Sequence, residues 1–334
     1  MKTTILQCTY RQEPHFDWLC DSLARQSASL EDAELVVVDG MLWHDGAERR
    51  RDTLRRAALP FVRRVGRAHD ECVQHLAPKP SRWQGPHRMT RSDFYGLANA
   101  RNTGLIVARG EWVAIADDCS VLHERWLERH RYWHERGHGV AGAFFTYRTA
   151  RVEDGRIVEG DPGPYGLDPR AVQFPVPILA IQGWGYGLNT SFRLTTAVEI
   201  GGWDEMYDAY AGNDDCDFGI RAERAGLSYM FDPDCLAYQI LADHEEVCGH
   251  AGWGEKPPRK QKEVILRHDG KPHYCGEGLI ERLRLDDPTR TRPLADWYDL
   301  AEQRRIYGET GRIVQERLGP TTHWVDGQPL AEME

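Results

Sequence analysis

Three apolar runs in the first 120 residues each stop at a polar or acidic edge: "TTILQCTY" from Thr3, "AELVVVDG" from Ala33 and "EWVAIADD" from Glu111. None alternates strictly between apolar and polar residues, so each reads as a strand buried on both faces. Helical spacings lie between them. "HFDWLCDSLARQ" (15–26) has apolar residues at 16, 19, 20 and 23, and "FYGLANARNTGLIVARG" (94–110) is helical up to Gly110, read as its C-cap. "AERRRDTLRRAAL" (47–59) reads as a helix and "FVRRVG" (61–66) as a short third strand. Strand–helix–strand repetition predicts an α/β fold: a mostly parallel central sheet flanked by helices.

In such sheets ligands bind outside the carboxyl ends of the strands. Cys8–Thr9–Tyr10, Asp39 and Asp117–Asp118 all fall at such ends, so a nucleotide-binding crevice is expected there. Two adjacent carboxylates repel each other, and a cation between or beside them relieves this.

The middle of the chain changes character. "EDGRIVEGDPGPYGLDPRAVQFPVP" (153–177) reads as loops and short strands. In "IQGWGYGLNTSFR" (181–193), glycines at 183, 185 and 187 let backbone approach a ligand closely, and Trp184 and Tyr186 could stack on a sugar. "LTTAVEIGG" (194–202) is helix-like. From Asp214 the acidic stretch reads as a helix N-terminus ending at Gly226, and "LSYMFDPDCLAYQI" (227–240) reads as a strand pair. "GWGEKPPRKQK" looks like a linker, and residues 275–318 carry charged, helix-prone segments. The expected division is a domain over 1–250 and a linker with a helical C-terminal extension over 251–334.

The net charge of −10 speaks against a general nucleic-acid surface, but it is uneven. Residues 49–91 hold twelve Arg/Lys against three Asp/Glu, whereas 199–218 hold seven Asp/Glu and no Lys or Arg. That fits a site handling an anion and a cation together, and the basic segment keeps a nucleic-acid partner open. The eight cysteines include no C-x-x-C pair. "HDECVQH" (69–75) has zinc-like spacing without a second ligand pair. The expectation is reduced thiols in a cytoplasmic protein. No apolar run approaches the ~20 residues of a membrane span, which leaves peripheral membrane attachment open.

The ordered segments "CTYRQEPHFDWLCDSLARQ", "AELVVVDG", "ANARNTGLIVARGEWVAIADD" and "GGWDEMYDAYAGNDDCDFGIRAERAG" resemble glycosyltransferase family 2. The last also resembles the carboxy-terminal half of animal-type galactosyltransferases. The resemblance covers roughly 3–245 and implies the GT-A fold, with 1–120 as the nucleotide-binding half and 121–250 as the acceptor-binding half. It implies that Cys8 lies at the nucleotide edge, that Tyr10 stacks on uracil and that Asp39 accepts the imide N–H. It implies further that Arg101 faces the nucleotide, Asp117 bonds the ribose and Asp118 reaches the metal. Asp215 matches the catalytic base, with Asp214 as its rival. Two positions depart from the family. Cys119 stands where Asp or Asn is usual, and Gln239 stands where a metal-binding His may appear, which leaves His244 as the expected ligand.

The implied reaction is metal-dependent, inverting transfer of a hexose or N-acetylhexosamine from a UDP-sugar to an acceptor hydroxyl. A divalent cation, Mn²⁺ or Mg²⁺, neutralises the leaving diphosphate. A carboxylate takes the acceptor proton. The loops around 153–187, Trp184 among them, could close over the donor. One or two arginines of the basic run, Arg67 among them, could meet the diphosphate. The acceptor could be a glycan, a lipid-linked sugar or another hydroxyl-bearing molecule, and a homodimer is open. The alternative is a non-catalytic nucleotide-sugar or glycan-binding protein of the same fold, prompted by Cys119 and Gln239.

Overall fold

Thr3–Thr9 (β1) and Ala33–Asp39 (β2) are buried along their whole length and pair in parallel, Thr3 opposite Ala33 and Thr9 opposite Asp39. Side chains of one strand point alternately to two layers. Leu6, Val36 and Val38 join one core; Ile5, Leu35 and Val37 join the other. In the computed structural model the described residues are 2–43, 46–79, 96–180, 184–203, 205, 208, 214–241 and two short strands near the C-terminus.

Phe16–Ala24 (α1) follows β1 and packs Leu19, Cys20 and Leu23 into the second core. Ala47–Ala57 (α2) buries only Arg50 and Leu54, four residues apart on one face. The expected strand at 61–66 is a helix, Leu59–Val65 (α3). Phe61 and Val65 are one turn apart, Pro60 suits the first turn, and Gly66 ends the helix with φ 74°. The third strand lies instead inside "HDECVQH". His69–Cys72 is a single helical turn (α4), and Val73–Leu76 (β3) pairs in parallel with β2. Leu97–Val107 (α5) lies against the first core and ends before Gly110, with Ala108 as its C-cap. A side chain at Gly110 would collide with the Thr4 backbone. Trp112–Ala116 (β4) then pairs in parallel with β1.

Beyond β4 the sheet becomes mixed. The later elements are Ser120–Leu122 (β5), Trp126–His134 (α6), Gly139–Glu153 (β6), Arg156–Leu167 (β7), Pro169–Gln173 (α7) and Ile178–Leu179 (β8). Asn189–Arg193 (β9), Leu194–Glu199 (α8), Asp214–Arg224 (α9) and Tyr229–Ile240 (β10) complete them. The order is β3-β2-β1-β4-β9-β6-β10-β5, with β7 on β6 and β8 on β10. This is a curled α/β sheet flanked by helices.

Two other expectations change. The Gly- and Pro-rich stretch holds a twelve-residue strand, β7, followed by the short helix α7; among the described residues β7 pairs only with β6, so its prolines owe no hydrogen bond to a second neighbour. "LSYMFDPDCLAYQI" gives one strand, β10, with an irregular register between Asp232 and Leu236. Asp232 is buried in that irregularity and accepts from Arg129 and Trp133. The linker and helical extension expected over 251–334 lie outside the described residues, apart from the antiparallel pairing of Trp324–Val325 (β11) with Gln328–Pro329 (β12).

Candidate active site

β1 sits between β2 and β4, so Tyr10, Asp39 and Asp117 reach one edge of the sheet. β9 runs antiparallel beside β4, with Asn189 opposite Ala116, and Asp117 N–H donates to Leu188 O at 3.3 Å. That register carries residues 184–188 over the same edge.

The Asp117–Asp118 pair faces a cation supplied by the chain itself. Arg11 Nε lies 3.2 Å from Asp118 Oδ1, and Thr9 Oγ1 donates to Asp118 Oδ2 at 2.8 Å. Asp117 Oδ1 accepts the Asp118 N–H, and its Oδ2 accepts from Gln239 Nε2 at 3.2 Å. Burial, then the charge of Asp117, pushes the Asp118 carboxyl up to about 6, against the pull of Arg11. The Cys119 thiol is buried beside Asp117 Oδ2 and the Gln239 amide, and burial pushes it well up, so it stays a neutral thiol.

On the β2 side Asp39 is fully buried and tightly held. Arg50 donates Nε to Oδ2 and Nη2 to Oδ1; His75 Nε2 lies 3.0 Å from Oδ2, and Met41 N–H donates to Oδ1. Burial raises this carboxyl, but the His75 and Arg50 bonds outweigh it and hold the group below the usual range. For Asp39 to accept an imide N–H, Arg50, His75 or Met41 has to give up a bond. Tyr10 is 3 % exposed; its ring packs on Gly40 and its hydroxyl donates to Gly96 O at 2.7 Å. Cys8 is buried as well, its thiol pushed up by burial although Arg101 opposes this.

The third group joins α5, the 184–188 segment and the start of α9. Arg101 Nη1 donates to Asp214 Oδ2 in a buried ion pair. Gly187 N–H donates to Asp215 Oδ2 at 2.9 Å, and Cys216 N–H donates to Oδ1. Burial first, then the neighbouring Asp215 charge, pushes the Asp214 carboxyl up to about 6, while Arg101 pulls it down. Asp215 is half-buried and bonded to backbone N–H groups, whereas Asp214 is committed to Arg101. Trp184 is half-buried, its ring 5.5 Å from Phe231 and 5.6 Å from Phe174; its carbonyl accepts from Arg170 Nη1 at 2.6 Å.

Asp117 and Asp118 offer hard oxygen donors, and Gln239 turns its amide nitrogen toward Asp117. Two adjacent carboxylates with hard oxygens are the donor chemistry that suits a divalent cation such as Mn²⁺ or Mg²⁺. Among the described residues no three His, Cys, Asp or Glu gather around one metal position. His244 lies outside the described residues.

Residues 70–186 match the family described as glycosyl transferase family 2. That stretch of the chain is similar to the family. The matched stretch includes Arg101, Asp117, Asp118 and Trp184 and ends before Asp214 and Asp215. No curated protein matches the sequence. Among solved structures, S. aureus TarS 1–349 in complex with UDP is 16% identical, with 96% of this chain and 85% of that chain covered and a TM-score of 0.50. The same protein in complex with UDP-GlcNAc is 14% identical, with 95% and 82% covered and a TM-score of 0.48. At 16% identity the first likeness is one of fold.

Sequence reasoning missed Arg11, left Arg50 and His75 without their partner Asp39, and gave Gly187 only the part of letting backbone approach a ligand. Arg50 and His75 anchor Asp39, Arg11 faces Asp118, and Gly187 holds Asp215. Arg67, expected near a diphosphate, lies at the opposite end of β2, where it donates to Ala33 O.

Proposed function

We propose that this glycosyltransferase moves a hexose or N-acetylhexosamine from a UDP-sugar to an acceptor hydroxyl with inversion, and that Asp215 is the base. One observation carries the reading. Asp215 is oriented by Gly187 N–H while Arg101 engages its rival Asp214, at the sheet edge that also holds Asp117 and Asp118. Asp215 takes the acceptor proton, and Asp118, helped by Asp117, holds Mn²⁺ or Mg²⁺. The cation supplies charge neutralisation for the departing diphosphate. Tyr10, Cys8, Asp39, Arg101 and Asp117 line the nucleotide side, and the 184–188 segment covers the sugar and excludes water. Residues 1–120 serve the nucleotide and 121–250 the acceptor.

The test is UDP release from UDP-glucose, UDP-galactose and their N-acetyl forms, with Mn²⁺ and with chelator. Turnover with one of them that chelator abolishes is expected. No UDP binding and no release with any of them would remove the reading. The non-catalytic alternative is favoured by metal-dependent UDP binding without turnover over any acceptor set. Among the described residues no helix is long and apolar enough to cross a membrane.

A further inference from the structure

Arg11 follows Tyr10 in the loop after β1, where its side chain is 5% exposed and its Nε lies 3.2 Å from Asp118 Oδ1. Thr9 Oγ1 engages the other Asp118 oxygen. The carboxylate proposed to hold a divalent cation is therefore already engaged on both oxygens, by an ion pair with Arg11 and by a hydrogen bond from Thr9 at the end of β1. The Arg11 backbone is fixed: its N–H faces Thr9 Oγ1 at 3.3 Å, and its carbonyl accepts from Arg50 Nη2 at 2.9 Å. Displacing the guanidinium thus needs only a change of side-chain rotamer, not movement of the loop.

A cation on Asp118 would lie within a few ångströms of that guanidinium, in a site where water screens poorly, so the two exclude each other. A displaced guanidinium needs an anion, and its planar fork matches phosphate oxygens. The loop that carries Arg11 stands at the nucleotide edge of the sheet, so a bound diphosphate is within the region its side chain can sweep.

We infer that Arg11 is an internal placeholder on Asp118, displaced by a divalent cation and taken over by the diphosphate of the nucleotide. Cation and nucleotide then bind with positive coupling through one side chain. This rests on the donor and metal reading proposed above. By reciprocity the coupling is the same whichever ligand binds first.

The experiment compares wild-type protein with Arg11→Met, which keeps the length of the side chain and removes its charge. Free Mn²⁺ is followed by its paramagnetic resonance signal and UDP by calorimetry, each with and without the other. Arg11→Met is expected to bind Mn²⁺ alone about ten- to a hundredfold tighter than wild type, because the cation no longer competes with a largely buried ion pair. In the same variant UDP should raise Mn²⁺ affinity by a smaller factor than in wild type, because only the direct attraction between cation and diphosphate remains. Should Met at this position prevent a cooperative melt, Arg11→Gln, which retains a neutral donor toward Asp118, carries the same expectation. A folded variant with unchanged Mn²⁺ affinity, or with the coupling intact, overturns the inference. Absence of Mn²⁺ binding to both proteins even with UDP present overturns it together with the metal reading, and UDP binding in those titrations tells whether the donor reading survives.

Discussion

Gly187 donates its backbone N–H to Asp215 and leaves no room for a side chain beside Arg101. A Cβ at Gly187 would fall 2.0 Å from Arg101 Nη2 and 2.6 Å from its Cζ. One backbone position therefore sets both the carboxylate proposed as base and the guanidinium that holds the neighbouring carboxylate. The contact with Arg101 is what excludes a side chain. Gly187→Ala forces Arg101 off Asp214 or shifts the 184–188 segment. A misplacement of about 1 Å costs on the order of 10²-fold in turnover. Steady-state kinetics with a UDP-sugar should show that loss in kcat, with UDP affinity changed much less. An Ala variant with wild-type kcat would mean that this contact does not set the base.

Asp215→Asn tests the base directly. The amide preserves the shape and can still face the Gly187 N–H through its oxygen, but it cannot take a proton. Turnover should fall by about 10²–10⁴-fold, the contribution of a positioned general base, while UDP binding by calorimetry persists. Near-normal turnover would transfer the assignment to Asp214, whose carboxyl is pushed up to about 6 by burial.

The first three strands at the crevice were readable because buried parallel strands need continuous apolar runs, and each ends at the residue that faces the ligand edge. "FVRRVG" misled because it is short and carries two β-branched valines, whereas its apolar positions, 61, 62 and 65, have the spacing of one helical turn. Arg50 hid among the arginines of α2. The spacing of Arg50, Leu54 and Ala58, four residues apart and all buried, was the only trace that one arginine faces inward. His75 was visible only as a possible zinc ligand, because its partner Asp39 is 36 residues away. Arg11 leaves no pattern at all: its pairing with Asp118 comes from a β1 loop meeting the end of β4, which local sequence does not encode.

Asn102 ties α5 to the segment that leads into α9, and its loss should cost stability. Its Nδ2 donates to Trp203 O and to Glu205 Oε1, both at 2.9 Å, and its Oδ1 accepts Trp203 N–H at 2.8 Å. Trp203 in turn stacks on Phe218 of α9 at 4.0 Å between ring centroids. Asn102→Ala leaves buried backbone groups and a carboxylate oxygen without this partner, at a cost of about 2–4 kcal/mol. Urea unfolding should register that loss without a change in slope. A change below about 0.5 kcal/mol would mean that water or a rearranged side chain replaces the amide.

Two buried imidazoles give the fold a defined response to acid. His130 Nδ1 and His134 Nε2 lie 2.8 Å and 2.6 Å from Ser191 Oγ, and His130 Nε2 lies 3.3 Å from Asn189 Oδ1. Burial lowers His130 to about 3, and it lowers His134 as well, reinforced by the nearby charges of His130, Arg131 and Arg193. Unfolded imidazoles take up protons near about pH 6.5, so the unfolded chain binds more protons below that value. The stability these groups contribute is therefore present above about pH 6.5 and lost as the pH falls. Each should cost about 1.4 kcal/mol between about pH 7.5 and 5.5. Asp118 and Asp214, pushed up to about 6, act with the opposite sign: what they contribute is present at low pH and lost as the pH rises through about 6. The His130→Asn, His134→Asn variant isolates the imidazole share. Although less stable at neutral pH, it should lose less stability than wild type over that interval in denaturant titrations. Equal losses in the two proteins would mean that the imidazoles are not held neutral by burial.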